Sequence, residues 1–177
     1  MHTDFLSSTK AVFQSYKTLG ERSLQQVSDE ALSLTVNNES NSIAVIVKHL
    51  YGNMLSRWTD FLTTDGEKEW RDRDAEFEVD RVTREQLMQW WNDGWKCLFE
   101  NFDALTEEDL QRVVRIRAEK HSALEAIQRQ VGHTAYHVGQ IVYLAKMFSL
   151  GNWQTLTVAR GMSKQFNEDM LKKHAES

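Results

Sequence analysis

Four segments of this chain place apolar residues at every third or fourth position, the spacing of one face of an α-helix. They cover residues 5–19, 42–62, 83–102 and 121–148. Proline is absent and only eight of the 177 residues are glycine, so residues that break helices or form tight turns are scarce. The pattern predicts an all-α fold, a four-helix bundle, and argues against a β-sandwich.

The connections between the four predicted helices differ in length. Residues 63–82 form a long charged segment without a clear period, which can cross from one end of a bundle to the other. Helices 2 and 3 would then run parallel. We expect a single domain over residues 1–177, in which the C-terminal tail, residues 151–177, packs on the bundle or on a second subunit.

Composition excludes several classes of protein. The net charge of −5 argues against a general nucleic-acid binder. The single cysteine, Cys97, excludes both a disulfide scaffold and a cysteine-rich zinc module. The two most apolar stretches, residues 43–55 and 138–150, are shorter than the roughly 20 residues that a membrane-spanning helix needs. We therefore expect a cytoplasmic protein with neither nucleic acid nor membrane as a partner.

A weak internal repeat suggests that the chain has two related halves. Residues 27–32 resemble residues 105–110, and residues 47–54 can be aligned with residues 131–138. The second alignment places His49 opposite His133 and Asn53 opposite His137. Matches of this length also arise by chance, so the repeat is a hypothesis. It would put both histidine-bearing turns at one depth in the bundle.

Three histidines form a candidate metal site. His133 and His137 are four residues apart, which places two imidazoles on one helical face. His49 lies beside the apolar stripe of helix 2, where a lone histidine would need a hydrogen-bond partner. Together they supply enough nitrogen ligands for a metal with one open position, whereas a structural role for each is the alternative. Thr134 stands where zincin proteases have glutamate, so a metalloprotease is disfavoured.

These histidines and their surroundings resemble the DinB superfamily, which includes the YfiT-like metalloenzymes. The likeness lies in His49 of helix 2 and in the run His133-Thr-Ala-Tyr-His137-Val-Gly-Gln-Ile of helix 4. Residues 42–58, 65–68 and 153–163 resemble one branch, a bacterial family of unknown function. The chain departs from that branch at Glu69 and Ala159, where prolines are usual; these changes affect loops and leave the histidines intact.

The resemblance implies a bundle with up-down-down-up connectivity, a divalent metal held by His49, His133 and His137, and a homodimer. Zinc and nickel are the metals common in relatives. Some members are thiol transferases that use a low-molecular-weight thiol such as bacillithiol or mycothiol. A free thiol has a pKa of about 8.5, and ligation to a dication would ionise it for attack on an electrophilic small molecule.

Five further residues are candidates for the site. Asn53, one helical turn beyond the histidine of helix 2, could hydrogen-bond a bound thiol or water. Tyr136 and Gln140 flank the histidine pair of helix 4 and could orient an imidazole. Arg57 and Arg160 could pair with carboxylates of a thiol cofactor. For each of them, a helix contact or a solvated position is the structural alternative.

Two other functions remain open. A metal-dependent hydrolase would use the same open position to hold water and lower its pKa towards about 7. No carboxylate neighbours His133 or His137 in sequence to act as general base, which favours a nucleophile that is already ionised. The second alternative is a non-catalytic metal-binding or dimerisation module, in which the metal ties helix 2 to helix 4.

Overall fold

The computed structural model of the chain describes residues 4–79, 81–149 and 151–175. Over these residues the fold is mostly helical, as predicted, with a small two-stranded sheet in addition. The five α-helices are α1 (Phe5–Leu24), α2 (Ile43–Trp58), α3 (Arg84–Asp103), α4 (Ala123–Phe148) and α5 (Ser163–His174). None of the helices in the described ranges is long and apolar enough to cross a bilayer.

Side-chain caps begin the four long helices. A side-chain oxygen of the residue before each helix accepts a hydrogen bond from a backbone N–H three residues later. These residues are Asp4, Ser42, Thr83 and Ser122. Helix α2 ends at Trp58, four residues before its predicted end, and Asp60 beyond it adopts a left-handed φ of 51°.

Helices α2 and α3 pack against each other and run in the same direction. In the N-terminal halves of the two helices, Lys48 Nζ of α2 lies 5.7 Å from the ring centre of Trp90 of α3. Near their C-terminal ends, Thr59 Oγ1 lies 3.7 Å from Cys97 Sγ. The long connection between them therefore returns the chain to the end where α2 began.

Helix α1 runs antiparallel to α3 and packs mainly on α4. Gly20, near the end of α1, lies against the ring of Trp91 near the start of α3. At the opposite ends, Lys10 Nζ and Asp103 Oδ1 form an ion pair of 2.6 Å. Phe13 is fully buried between the helices. Helix α2 contacts both α3 and α4, so one of its faces is directed at α4.

The first part of the C-terminal tail contacts the other helices. Trp153 packs against the core, and Gln154 exchanges two hydrogen bonds, of 2.6 and 3.1 Å, with Gln26, which follows α1. Helix α5 has no buried residue, and its Phe166 and Leu171 are exposed.

A β-hairpin precedes α4, and the helical pattern did not predict it. Strands β1 (Val113–Ile116) and β2 (Glu119–Ser122) pair antiparallel around a two-residue turn. Both turn residues, Arg117 and Ala118, have positive φ, which usually calls for Asn-Gly. Here the Asp65 carboxylate accepts hydrogen bonds from both backbone N–H groups, of 2.8 and 2.7 Å. A distant side chain thus stabilises a turn that the local sequence does not favour.

The connection between α2 and α3 folds back onto α2. It contains a short 3₁₀ helix, Asp74–Phe77, which contacts α2. Lys48 Nζ of α2 donates a hydrogen bond of 2.6 Å to the Ala75 carbonyl oxygen. This contact positions Glu76 next to the middle of α2.

Candidate metal centre

The three histidines singled out by the sequence lie together between α2 and α4. The ring centres are 5.2 Å apart for His49 and His133, 4.9 Å for His49 and His137, and 4.6 Å for His133 and His137. One ring nitrogen from each can be chosen so that all three lie within 4.8 Å of one another. His49 and His137 are buried and His133 is half-buried. The cluster could hold a metal ion.

Glu76 orients the ring of His49. His49 Nδ1 lies 2.9 Å from Glu76 Oε2, and both side chains are buried. An ionised carboxylate only accepts hydrogen bonds, so His49 Nδ1 is the donor, and in the neutral ring Nε2 is then the nitrogen with the lone pair. That Nε2 faces His133 Nε2 at 3.2 Å. A carboxylate behind the outer nitrogen of a histidine is the usual way to fix a metal ligand.

Glu76 is held in its ionised form by its neighbours. Burial raises the pKa of this carboxyl, but hydrogen bonds from His49 and Arg71 and the charge of Arg71 lower it further than burial raises it. Arg71 binds with two nitrogens: Nε lies 2.7 Å from Oε1, and Nη2 lies 3.0 Å from Oε2. The carboxylate therefore links a fixed guanidinium to a fixed imidazole.

Gln140 takes the corresponding position behind His137. His137 Nδ1 lies 2.8 Å from Gln140 Oε1, an oxygen that accepts the Nδ1 proton. The opposite nitrogen, His137 Nε2, is buried and has no hydrogen-bond partner among the described residues. Its lone pair is thus free to bind a ligand on the side of the cluster.

The imidazoles of α4 are neutral at pH 7. Burial and the neighbouring rings of His137 and His49 lower the pKa of His133 to about 3. Burial also lowers the pKa of His137 to about 4, although its hydrogen bond to Gln140 acts in the opposite direction. Neutral imidazole is the form that binds metals, so no proton has to be displaced at neutral pH.

One nitrogen–nitrogen distance in the cluster matches the value expected for a tetrahedral metal. With metal–nitrogen bonds of about 2.0–2.1 Å, two ligand nitrogens lie about 3.3 Å apart. The distance between the Nε2 atoms of His49 and His133 is 3.2 Å. Three nitrogen ligands leave one position for a small molecule, and imidazole suits zinc, nickel, copper and iron alike.

The histidine cluster opens into a pocket of about 200 Å³. His49 and His133 line it, together with Asn53 and Tyr136 from the set predicted by sequence. Asn53 is buried, and its Oδ1 has no hydrogen-bond partner within the described chain. The half-exposed ring of Tyr136 packs on the imidazoles, with its centre 4.2 Å from that of His137.

The two predicted arginines have different positions. Arg57 lines the pocket, where its guanidinium donates to the Gly66 carbonyl and lies 3.3 Å from Glu67 Oε2. Arg160 is exposed and is not among the described residues that line the pocket. The structure therefore brings Arg57 to the histidines and leaves Arg160 outside.

Glu76 and Arg71 were not found from the sequence. Both lie in the segment that reads as an aperiodic charged connection, and Glu76 is 27 residues from its partner His49. No local pattern marks one carboxylate among the many in this segment. Only the contact of the 3₁₀ helix with α2 selects it.

Comparison with known proteins identifies a family. Residues 1–162 match the family described as "Protein of unknown function (DUF1572)". None of the curated proteins compared with the chain matches it. The match covers all three histidines, the hairpin and the connection that carries Glu76. Since the match extends over most of the chain, the chain belongs to the DUF1572 family.

Proposed function

We propose that this protein is a divalent-metal-dependent enzyme of the DinB and YfiT-like type, which joins a low-molecular-weight thiol to an electrophilic small molecule. The observation that carries the proposal is the convergence of three imidazoles beside a pocket. His49 and His133 line the pocket, and the outer nitrogens of His49 and His137 are held by Glu76 and Gln140. A structural role would account for one hydrogen bond at each buried histidine, but it leaves His137 Nε2 buried without a partner among the described residues.

Different residues would bind the metal and orient its ligands. Zinc or nickel bound by His49, His133 and His137 would lower the pKa of a thiol that bound beside them, so that the thiolate forms at neutral pH. Glu76 keeps the proton on His49 Nδ1, and Gln140 does the same for His137. A sulfur–carbon bond then forms as the leaving group departs from the electrophile, and the thiol proton is lost to solvent.

The pocket favours thiol transfer over hydrolysis. A hydrolase normally places a carboxylate or a histidine where it can take a proton from water. Among the described residues that line the pocket there is no Asp or Glu. Glu76 contacts the outer nitrogen of His49 and is tied to Arg71, so it is not directed at the open position. A nucleophile that is ionised on binding needs no such base.

The protein's own cysteine does not supply the thiol. Cys97 lies in α3 beside Thr59, and burial raises the pKa of its thiol. It is therefore protonated at neutral pH and a poor nucleophile. The thiol of the proposed reaction comes from solution, and a reducing compartment such as the cytoplasm would provide it.

The proposal includes the up-down-down-up topology and a homodimer. The parallel run of α2 and α3 and the antiparallel run of α1 and α3 support the topology. Exposed apolar side chains on α4, including Tyr143 at 65% and Met147 at 42%, support a surface for a second copy. Light scattering should give twice the chain mass of 20.6 kDa. A monomer at micromolar concentration would exclude the dimer.

Metal analysis is the first test of the proposed function. The untagged protein should contain about one equivalent of zinc or nickel, and a His133→Ala/His137→Ala variant should contain none. A cobalt-substituted form should change its visible spectrum when bacillithiol or cysteine is added, because a thiolate enters the coordination sphere. Turnover of an electrophile such as monochlorobimane should then require both metal and thiol.

Three other outcomes would reject or redirect the proposal. No metal after reconstitution would exclude the metal centre. Metal binding that raises the melting temperature without any response to thiols would indicate a structural module. Metal-dependent cleavage of esters or amides without thiol would indicate a hydrolase. A Cys97→Ser variant serves as control, and its activity should equal that of the parent.

A further inference from the structure

We propose that the pocket beside the histidines binds a small molecule carrying at least two negatively charged oxygen groups, carboxylate or phosphate, on a wall of arginines. As an assignment of substrate class this rests on the proposed function, since the ligand would be the thiol or its electrophile. The anion site itself does not require the metal, and can be tested without it.

The lining of the pocket is positively charged, whereas the whole chain has a net negative charge. The protein has 21 basic and 26 acidic residues, but six arginines and no Asp or Glu are found among the described residues that line this pocket. The six are Arg57, Arg71, Arg73, Arg115, Arg117 and Arg129. A cleft lined by charges of one sign concentrates ligands of the opposite sign.

These arginines come from four separate parts of the fold. Arg57 belongs to α2, Arg71 and Arg73 to the connection after it, Arg115 and Arg117 to the hairpin, and Arg129 to α4. If these arginines were only the solvated face of a helix, they would all lie on that one helix. Convergence from four elements requires the folded chain to hold like charges together, which costs free energy unless an anion compensates it.

Three carboxylates next to these arginines neutralise only part of this charge. Glu67 Oε2 lies 3.3 Å from Arg57 Nη2 and 2.9 Å from Arg117 Nε. Glu76 is bound by Arg71. No ion pair within the described chain involves the remaining three arginines, which are Arg73, Arg115 and Arg129. Asp65, which interacts with the charge of Arg57, is the third carboxylate. Three carboxylates against six guanidinium groups leave room for a ligand of two or more negative charges.

Arg71 supplies a buried donor that faces this pocket. Its side chain is 2% exposed, yet Nη1 has no hydrogen-bond partner among the described residues. Nη1 lies 3.9 Å from Glu67 Oε1, an ion-pair distance but not a hydrogen bond. A buried charged donor without a partner is costly, and an oxyanion in the pocket would satisfy it.

The pKa of Arg57 reflects repulsion among the arginines of the pocket. Burial lowers the pKa of its guanidinium, the Glu67 carboxylate raises it, and the charges of Arg71 and Arg117 lower it again, so that it ends below its usual value. The guanidinium groups therefore repel one another across the pocket. An anion bound among them would remove this repulsion.

Two of the arginines without ion pairs are held in place by neutral groups. The guanidinium of Arg73 lies 5.2 Å from the ring centre of Phe77, and Arg115 Nη1 donates a hydrogen bond of 3.1 Å to the Ala118 carbonyl. Such contacts fix the orientation of the guanidinium and leave its other donors for a ligand. A planar guanidinium binds carboxylate or phosphate with two parallel hydrogen bonds.

The test is titration calorimetry on the full chain after its metal has been removed, with inorganic phosphate and glutarate as probes and uncharged glutaramide as the negative control. We expect saturable binding of one anion per chain, weakened by added salt, and none of glutaramide. The probe that binds with the higher affinity would indicate whether the natural ligand carries phosphate or carboxylate groups.

Variants locate the site. Arg115→Gln/Arg129→Gln, and separately Arg73→Gln in another element, should each weaken binding by about tenfold or more, as expected for a lost charged hydrogen bond. Arg81→Gln, an exposed arginine that is not among those lining the pocket, should bind like the parent. Circular dichroism and melting temperature show that each variant is folded.

Two results would overturn the inference. One is the absence of saturable binding for both anions at millimolar concentration. The other is affinity within twofold of the parent in both pocket variants, or an equal loss in Arg81→Gln. Anion binding in a chain that takes up no metal would refute the proposed function alone, and metal uptake without anion binding would refute the arginine site alone.

Discussion

Glu76 packs directly on Gly52 of α2, one turn from the histidine that it orients. A β-carbon at position 52 would lie 2.8 Å from Glu76 Cδ and closer still to Oε1. The carboxylate cannot move aside freely, because Arg71 and His49 hold both of its oxygens. Glycine at this position is therefore a condition for the geometry of the candidate metal centre.

Replacing this glycine should weaken the metal site without unfolding the helix. In Gly52→Ala the added methyl group displaces the Glu76 carboxylate, so His49 loses its orienting partner. Metal affinity, measured by competition with a chelator of known affinity, should fall by about 10- to 100-fold, the usual cost of losing such a partner. Gly132→Ala is the matched control, because a β-carbon there meets nothing within 4 Å. Equal affinity in both variants would contradict this.

Removing the charge of Glu76 should affect both the metal and the fold. Glu76→Gln preserves the size of the side chain but leaves Arg71 buried without a carboxylate on this side. The free energy of unfolding should fall by about 3–5 kcal/mol, the range for breaking a buried ion pair, and metal affinity by about 10- to 100-fold. Urea unfolding and chelator competition measure the two effects. Glu78→Gln, at an exposed position, should change neither.

Metal removal should lower the stability of the parent protein only. A metal present at 100 times its dissociation constant stabilises the folded state by about 2.7 kcal/mol. Chelation should therefore lower the melting temperature of the parent protein. A His49→Ala variant should melt at the same temperature with and without chelator. A similar shift in that variant would mean that the metal binds elsewhere.

Asp65 should make the hairpin sensitive to acid. Burial raises the pKa of its carboxyl, but backbone N–H groups of Glu67, Ala118 and Arg117 lower it more. A lowered pKa in the folded state means that the unfolded chain binds the proton more tightly. The stabilising contribution is thus complete above the unfolded pKa of about 3.9 and is lost as the pH falls through the folded value.

Urea unfolding at two pH values tests this linkage. At pH 7 the Asp65→Asn variant should be less stable than the parent, and at pH 3 the difference between them should be smaller. Asp93→Asn, exposed on α3 away from the hairpin, is the control for replacing an aspartate. A constant difference between parent and Asp65→Asn at both pH values would rule out the linkage.

The helices could be predicted because their signals are local. Apolar spacing located α1 to α4, although the predicted fourth helix, 121–148, began two residues too early, within β2. The two segments of the internal repeat, residues 27–32 and 105–110, both contain the start of a 3₁₀ helix, Glu30–Ser33 and Glu107–Gln111. Spacing of four residues also put His133 and His137 on one face.

The remaining parts of the site depend on contacts between distant segments. Glu76 becomes a partner of His49 only when the connection packs on α2, and Arg115 reaches the pocket only through a hairpin. That hairpin has an Arg-Ala turn whose stability comes from Asp65, some 50 residues earlier. No pattern within a short window of sequence contains this information.

The connection between α2 and α3 contributes to three structures at once. Asp65 holds the hairpin turn, Glu67 binds two arginines of the pocket, and Glu76 orients a histidine. The three residues lie within one segment of twelve residues, 65–76, so none of them can move far without the others. A displacement that widened the pocket for a bulky molecule would also release His49. The exchange rate of a metal ion held by the three histidines would then report how often the pocket opens.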